Sequence, residues 1–123
     1  MPDEEIASPE ALFRGFPQSL AIHRRVEQVV ASIGPASVRV SRSQAAFRRR
    51  TGFAFVWRPG QYVGSDVPAV LSIALGREVA CDRFKEVAHP SPHVWMHHLE
   101  LHTVDEVDDE VRSWLVEAYA RAG

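Results

Sequence analysis

The 123-residue sequence contains one cysteine, Cys81, one lysine, Lys85, and no long apolar run. A lone thiol cannot close an intrachain disulfide, which excludes the small bridge-stapled secreted folds and points to an intracellular, cytoplasmic chain. A membrane-spanning helix needs roughly 20 apolar residues; the longest run, residues 69–75, is broken by Ser72 and suits a buried strand. The N-terminal Met-Pro-Asp-Glu-Glu-Ile lacks the basic-then-apolar order of a secretory leader. Also missing are paired CxxC and HExxH metal motifs, a Gly-x-Ser-x-Gly elbow and a glycine-rich phosphate loop. Repeats and low-complexity segments are not visible. The enzyme classes recognised by such motifs therefore have no support, and no cofactor is implied.

What is present is an ordinary globular composition, 46% hydrophobic and 24% charged. A chain of this length suits one domain and can bury a core without staples. Its net charge of -2 hides a strong asymmetry. Residues 34–65 carry Arg39, Arg42, Arg48, Arg49, Arg50 and Arg58 with no acid, whereas residues 100–123 carry seven acids against Arg112 and Arg121. Such polarity can steer an anionic partner toward the middle of the chain. It also arises when basic and acidic elements simply neighbour each other in the fold.

Residues 1–7 read as a flexible acidic arm, followed by a single domain over 8–123. Ser8-Pro9-Glu10 supplies a capping hydroxyl, a proline at the first helical position and an acid in the first turn. A longer helix follows over about 17–32, where Ile22, Val26, Val29, Val30 and Ile33 form one stripe and Gly34-Pro35 ends it. The middle reads as strands at 37–40, 44–48 and 53–58. Arg49-Arg50-Thr51-Gly52 forms a hairpin turn, and Phe53, Phe55 and Trp57 share one face of the third strand. Val70–Leu75, apolar on both faces, belongs inside the sheet. Residues 76–92, punctuated by Gly76, Pro90 and Pro92, read as loop. Val94–His102 is the last strand, with Trp95, His97, Leu99 and Leu101 inward and Met96, His98, Glu100 and His102 outward. Thr103-Val104-Asp105-Glu106 reads as a capping box before an amphipathic helix with Val107, Val111, Trp114, Leu115, Ala118 and Tyr119 on its buried stripe. Without βαβ alternation the expected fold is α+β: an antiparallel-rich sheet of four or five strands packed by two main helices.

Four segments, taken in order, resemble an uncharacterised bacterial family of domains of unknown function. They are Ser41-Arg42-Ser43-Gln44, Gly52–Pro59, Trp95–Leu101 and the helix from Asp105 that ends in Trp-Leu-Val-Glu-Ala-Tyr. The resemblance spans about residues 10–122. It implies a small α+β domain and no established reaction, so no catalytic residue is carried over.

Five of the six histidines lie between residues 89 and 102. On an extended strand His98 and Glu100 share a face, about 7 Å apart, which permits a metal or proton-transfer pair. His102 lies about 13 Å from His98 along a straight strand, too far to share the ion. His97 falls on the inward face, where a histidine ordinarily bonds a backbone or carboxylate partner. The outward residues also suggest a ligand site: Arg42, Ser43, Gln44, Trp57, His98 and Glu100 would gather over an apolar floor if the sheet curves. Arg48, Arg49 and Arg50, with Arg39, Arg42 and Arg58, offer a nucleic-acid surface on which Trp57 or Tyr62 could stack a base. A basic hairpin tip is more commonly a solvated turn that resists edge aggregation. Cys81 reads as a packed thiol. The favoured expectation is a non-enzymatic binding or interaction module for a small anionic ligand or a protein partner. A homodimer through a strand edge or the Trp114–Tyr119 helix is also open. A small enzyme or metal site at His98 and Glu100, and nucleic-acid binding through Arg39–Arg58, are the alternatives.

Overall fold

The computed structural model describes residues 8–123; the expected arm over 1–7 lies outside the described residues. Two helices come first among the described residues, α1 (Pro9–Leu12) and α2 (Pro17–Ile33). Ser8 caps the first, its hydroxyl accepting from the Ala11 N–H, as its sequence predicts. The α2 stripe is buried at Ile22, Val26, Val29 and Val30. Ser19 and His23 are buried beside it.

Strands β1 (Ser37–Val40), β2 (Ala45–Arg48), β3 (Gly52–Trp57), β4 (Ala69–Leu75), β5 (Phe84–Ser91) and β6 (Val94–Leu101) form one sheet in the order β1-β2-β3-β4-β6-β5. Every neighbouring pair runs antiparallel. The α+β class and antiparallel sheet follow the sequence; the strand count is six, not four or five. The extra strand is β5, within the segment read as loop. Its charged and proline residues hide the strand pattern because β5 is a sheet edge, where one row of backbone groups meets solvent and alternation weakens. Its register with β6 shifts twice, around Lys85 and again before Ser91.

β4 sits centrally and all seven of its residues are buried. The helix α3 (Asp109–Arg121) packs with α2 over one face of the sheet. The shared core holds Phe47, Ala54, Val56, Leu71, Ile73, Leu75, Leu99 and Leu101 from the strands and Val111, Trp114, Leu115 and Ala118 from α3. Each fully buried leucine or isoleucine contributes about 1.5–3 kcal/mol of transfer free energy. The expected capping box is replaced. Thr103 makes no side-chain cap and residues 104–106 form a 3-10 turn, while Asp108 caps α3 by accepting the Val111 N–H at 3.1 Å. Glu106 instead accepts the His102 N–H, which, ahead of smaller contributions, holds its carboxyl below the usual carboxylate range.

Phe53 departs from its expected face. It enters the helix-side core and meets Tyr119 edge-on, with ring centroids 5.7 Å apart. The cause is a register shift at Phe47/Arg48, which changes the phase of the β2–β3 hairpin at its tip. Gly52 does not occupy the left-handed region; Gly15, between α1 and α2, does, with φ 84°.

Candidate functional site

Both long helices cover the same face of the sheet, so among the described residues those alternating with the core strand positions form a face that α2 and α3 leave uncovered, the helix-free face. Cross-strand register aligns Ala46, Phe55, Ser72, His98 and Glu86 in one row on that face. Trp57, Val70 and Glu100 form the next row. An open cavity of about 450 Å³ occupies this surface, lined by Ser43, Gln44, Phe55, Trp57, Tyr62, Ser72, Met96 and His98. None of these side chains is formally charged with histidine neutral.

The floor carries a hydrogen-bonded chain of three side chains. Trp57 Nε1 donates to Ser72 Oγ at 2.9 Å, and Ser72 Oγ lies 2.7 Å from His98 Nδ1. The Trp57 and His98 rings meet edge to face with centroids 6.2 Å apart. Ser72 is buried and His98 half-buried. Desolvation pushes the His98 pKa down, partly opposed by the Glu86 carboxylate beside it. Aromatic walls rise around this floor: Tyr62 stands edge-on to Trp57 at 6.0 Å. The rim is tied together where Gln61 Nε2 donates to the Ser43 carbonyl at 2.9 Å, bridging the β1–β2 turn to the 3-10 turn at residues 59–61.

Four of the six expected ligand residues, Ser43, Gln44, Trp57 and His98, therefore line one cavity. Arg42 and Glu100 do not. Arg42 is exposed in the β1–β2 turn, and Glu100 pairs with Val70 one row away. Ser72, Phe55 and Met96 were not singled out as site residues. Ser72 had a signal, as the lone polar residue in the run 69–75.

The other histidines serve elsewhere. His97 is buried, its Nε2 accepting the Val79 N–H at 3.0 Å and its Nδ1 lying 3.0 Å from the Trp95 carbonyl. Both ring nitrogens are thus satisfied by backbone, with the proton on Nδ1. His89 stacks on Trp95 at 3.9 Å. His102 lies just past β6, exposed, with Nδ1 3.4 Å from Glu106. Among the described residues no three His, Cys, Asp or Glu side chains converge as metal ligands.

The arginines of 39–58 occupy different places. Arg49 lies over the Tyr119 ring at 4.0 Å and donates to the Tyr119 carbonyl at 2.8 Å. Arg58 stacks on Phe16 at 3.7 Å beside a second cavity of about 300 Å³ at the start of α2. Arg39 faces Ala46 in register, Arg48 is half-buried and Arg50 is exposed in the turn. Trp114 is buried in the core and Tyr119 donates its hydroxyl to the Pro35 carbonyl at 2.8 Å, so the α3 residues considered for a dimer contact are engaged within the chain. Cys81 packs partly buried against the core. No helix among the described residues is long and apolar enough to cross a membrane.

No curated protein and no solved structure matches the chain. A family does match, over residues 9–122: the chain belongs to the family described as Domain of unknown function (DUF5655).

Proposed function

We propose that this member of a domain-of-unknown-function family is a non-enzymatic module that binds a small planar molecule in the cavity on the helix-free face of its sheet. The observation that carries this is the cavity's construction. Aromatic and thioether walls from Phe55, Trp57, Tyr62 and Met96 surround the Trp57–Ser72–His98 hydrogen-bond chain. Apolar walls with a few convergent polar groups are the ordinary make-up of a small-molecule site. The volume accommodates a fused two-ring compound. The arginine-rich segment favours an anionic ligand, but the absence of arginine from the lining favours an uncharged one.

The Ser72–His98 contact also resembles a nucleophile with its base, which supports a hydrolytic second reading. Two features favour binding instead. The Ser72 hydroxyl already accepts the Trp57 indole N–H, which disperses the charge an attacking oxygen needs. β4 is paired on both sides, by β3 and β6, so the N–H groups around Ser72 belong to the sheet ladders and cannot build an oxyanion hole.

The test is an NMR titration of the ¹⁵N-labelled protein with planar uncharged fragments, following the Trp57 indole and His98 ring. Saturable shifts at both are expected in the wild type, with the His98 shift lost in Trp57→Ala while circular dichroism shows an intact fold. No shift at either group for any fragment at millimolar concentration overturns the proposal. Labelling of Ser72 by a fluorophosphonate probe would favour the hydrolytic reading; none is expected.

A further inference from the structure

Resting on the cavity as the binding site, we propose that it selects an uncharged planar ring bearing a carbonyl oxygen, because Trp57 and Ser72 lock His98 as a neutral imidazole with its proton on Nε2. An indole N–H donates and cannot accept. Trp57 Nε1 lies 2.9 Å from Ser72 Oγ, so that oxygen is the acceptor there and its single proton points elsewhere. His98 Nδ1, at 2.7 Å, is the acceptor within reach. With its Nδ1 lone pair engaged, a neutral imidazole carries its proton on Nε2. Among the described residues only His23 has buried ring nitrogens without a partner. His98 Nε2 therefore retains access to the cavity its ring lines.

The relay opposes charging of His98. A second proton on Nδ1 would force Ser72 Oγ to accept from both neighbours and leave its own proton unplaced. An anionic ligand against Nε2–H would lose water without a cation among the lining residues, and Glu86 neighbours His98 in register. A donor-only ring leaves the His98 Nε2–H unpaired, even where its own N–H reaches the Gln44 amide oxygen or the Tyr62 hydroxyl. A carbonyl oxygen satisfies Nε2–H and adds no charge, while the rest of its ring lies against Phe55, Trp57 and Met96.

Three probes of similar size separate the possibilities: N-methylquinolone, planar with an acceptor only; indole, planar with a donor only; and naphthoate, planar and anionic. The quinolone is expected to bind about tenfold more tightly than the other two. Long-range ¹H–¹⁵N spectra of the free wild-type protein are expected to show a protonated Nε2 and a bare Nδ1. Trp57→Phe keeps an aromatic wall but removes the donor, so the Ser72 hydroxyl regains its freedom and the quinolone preference falls toward unity. Ser72→Ala breaks the relay from the other side with the same expected loss. Comparable affinities for the three probes, tighter naphthoate, or a protonated Nδ1 overturn the selectivity while leaving the cavity as the binding site. If none of the probes moves the Trp57 or His98 signals, the cavity reading fails and the selectivity with it.

Discussion

Replacing His23 by leucine should make the protein more stable, by an amount that grows as the solution is acidified. His23 is buried on α2 between Phe13 and Phe47, with ring centroids at 5.7 and 5.6 Å. Neither ring nitrogen has a hydrogen bond. Glu27 Oε2 stands 3.4 Å from Nε2, near enough to pair with a charged ring but not aligned as a hydrogen bond to a neutral one. An unsatisfied buried polar group costs about 1–3 kcal/mol. Leucine removes that cost and keeps most of the volume, so a gain of about 1 kcal/mol is expected at pH 8. Burial lowers the His23 pKa below its ordinary 6.5, with Glu27 only partly opposing. Well above pH 6.5 the ring is neutral in both folded and unfolded chains and contributes little pH dependence. As pH falls below 6.5 the unfolded chain takes up the proton first, and wild-type stability drops at up to about 1.4 kcal/mol per pH unit until the folded ring titrates. The leucine variant lacks this limb. Urea unfolding of both proteins at half-unit steps from pH 8 to 5 measures the difference directly. A constant gap, or one that narrows on acidification, would mean that the Glu27 pair outweighs burial and would refute the assignment.

Four further outcomes can be measured, three on packing and one on the arginine surface. Leu99→Ala, which empties a buried site between β4 and β5 on the helix side, should cost about 2–5 kcal/mol in denaturant unfolding. Asp108→Ala removes the α3 cap and a partner of Arg83, which donates to Asp108 and Glu110; about 1 kcal/mol should be lost in the same assay. Arg49→Ala gives up the Tyr119 carbonyl bond and the ring contact at an exposed position, costing about 0.5–1.5 kcal/mol by thermal unfolding. Replacing Arg48, Arg49 and Arg50 together by glutamine tests the nucleic-acid alternative. If that surface binds phosphates, wild-type affinity for mixed single-stranded DNA falls steeply with salt and the triple variant flattens the slope; a salt-independent signal in both proteins ends that alternative.

The elements with strong internal patterns were legible. The α2 stripe and the alternation along β6 repeat contacts at a fixed period, and β4 is an apolar run, interrupted only by Ser72, buried on both faces; such patterns survive without knowledge of the partner. His98 could be placed outward and His97 inward for that reason. β5 was not legible, because an edge strand needs no second buried face and its proline and charges mimic a loop. The start of α3 was misplaced because two acidic caps compete: Glu106 bonds back to His102 while Asp108 starts the helix.

Composition and periodicity alone therefore determined an α+β domain with an antiparallel sheet and an outward His98. Only the tertiary structure decided which outward residues meet. Register brings Ser72 beside His98 across 26 positions of sequence and Trp57 beside Ser72 across 15. It also leaves Arg42 and Glu100 outside the cavity. Side-chain period states only which face a residue takes; which strand lies next to which, and at what offset, is set by the shared packing of two helices over the other face. That is why the hydroxyl in the run 69–75 looked like an interruption of a strand and proved to be the centre of the site's polar chain.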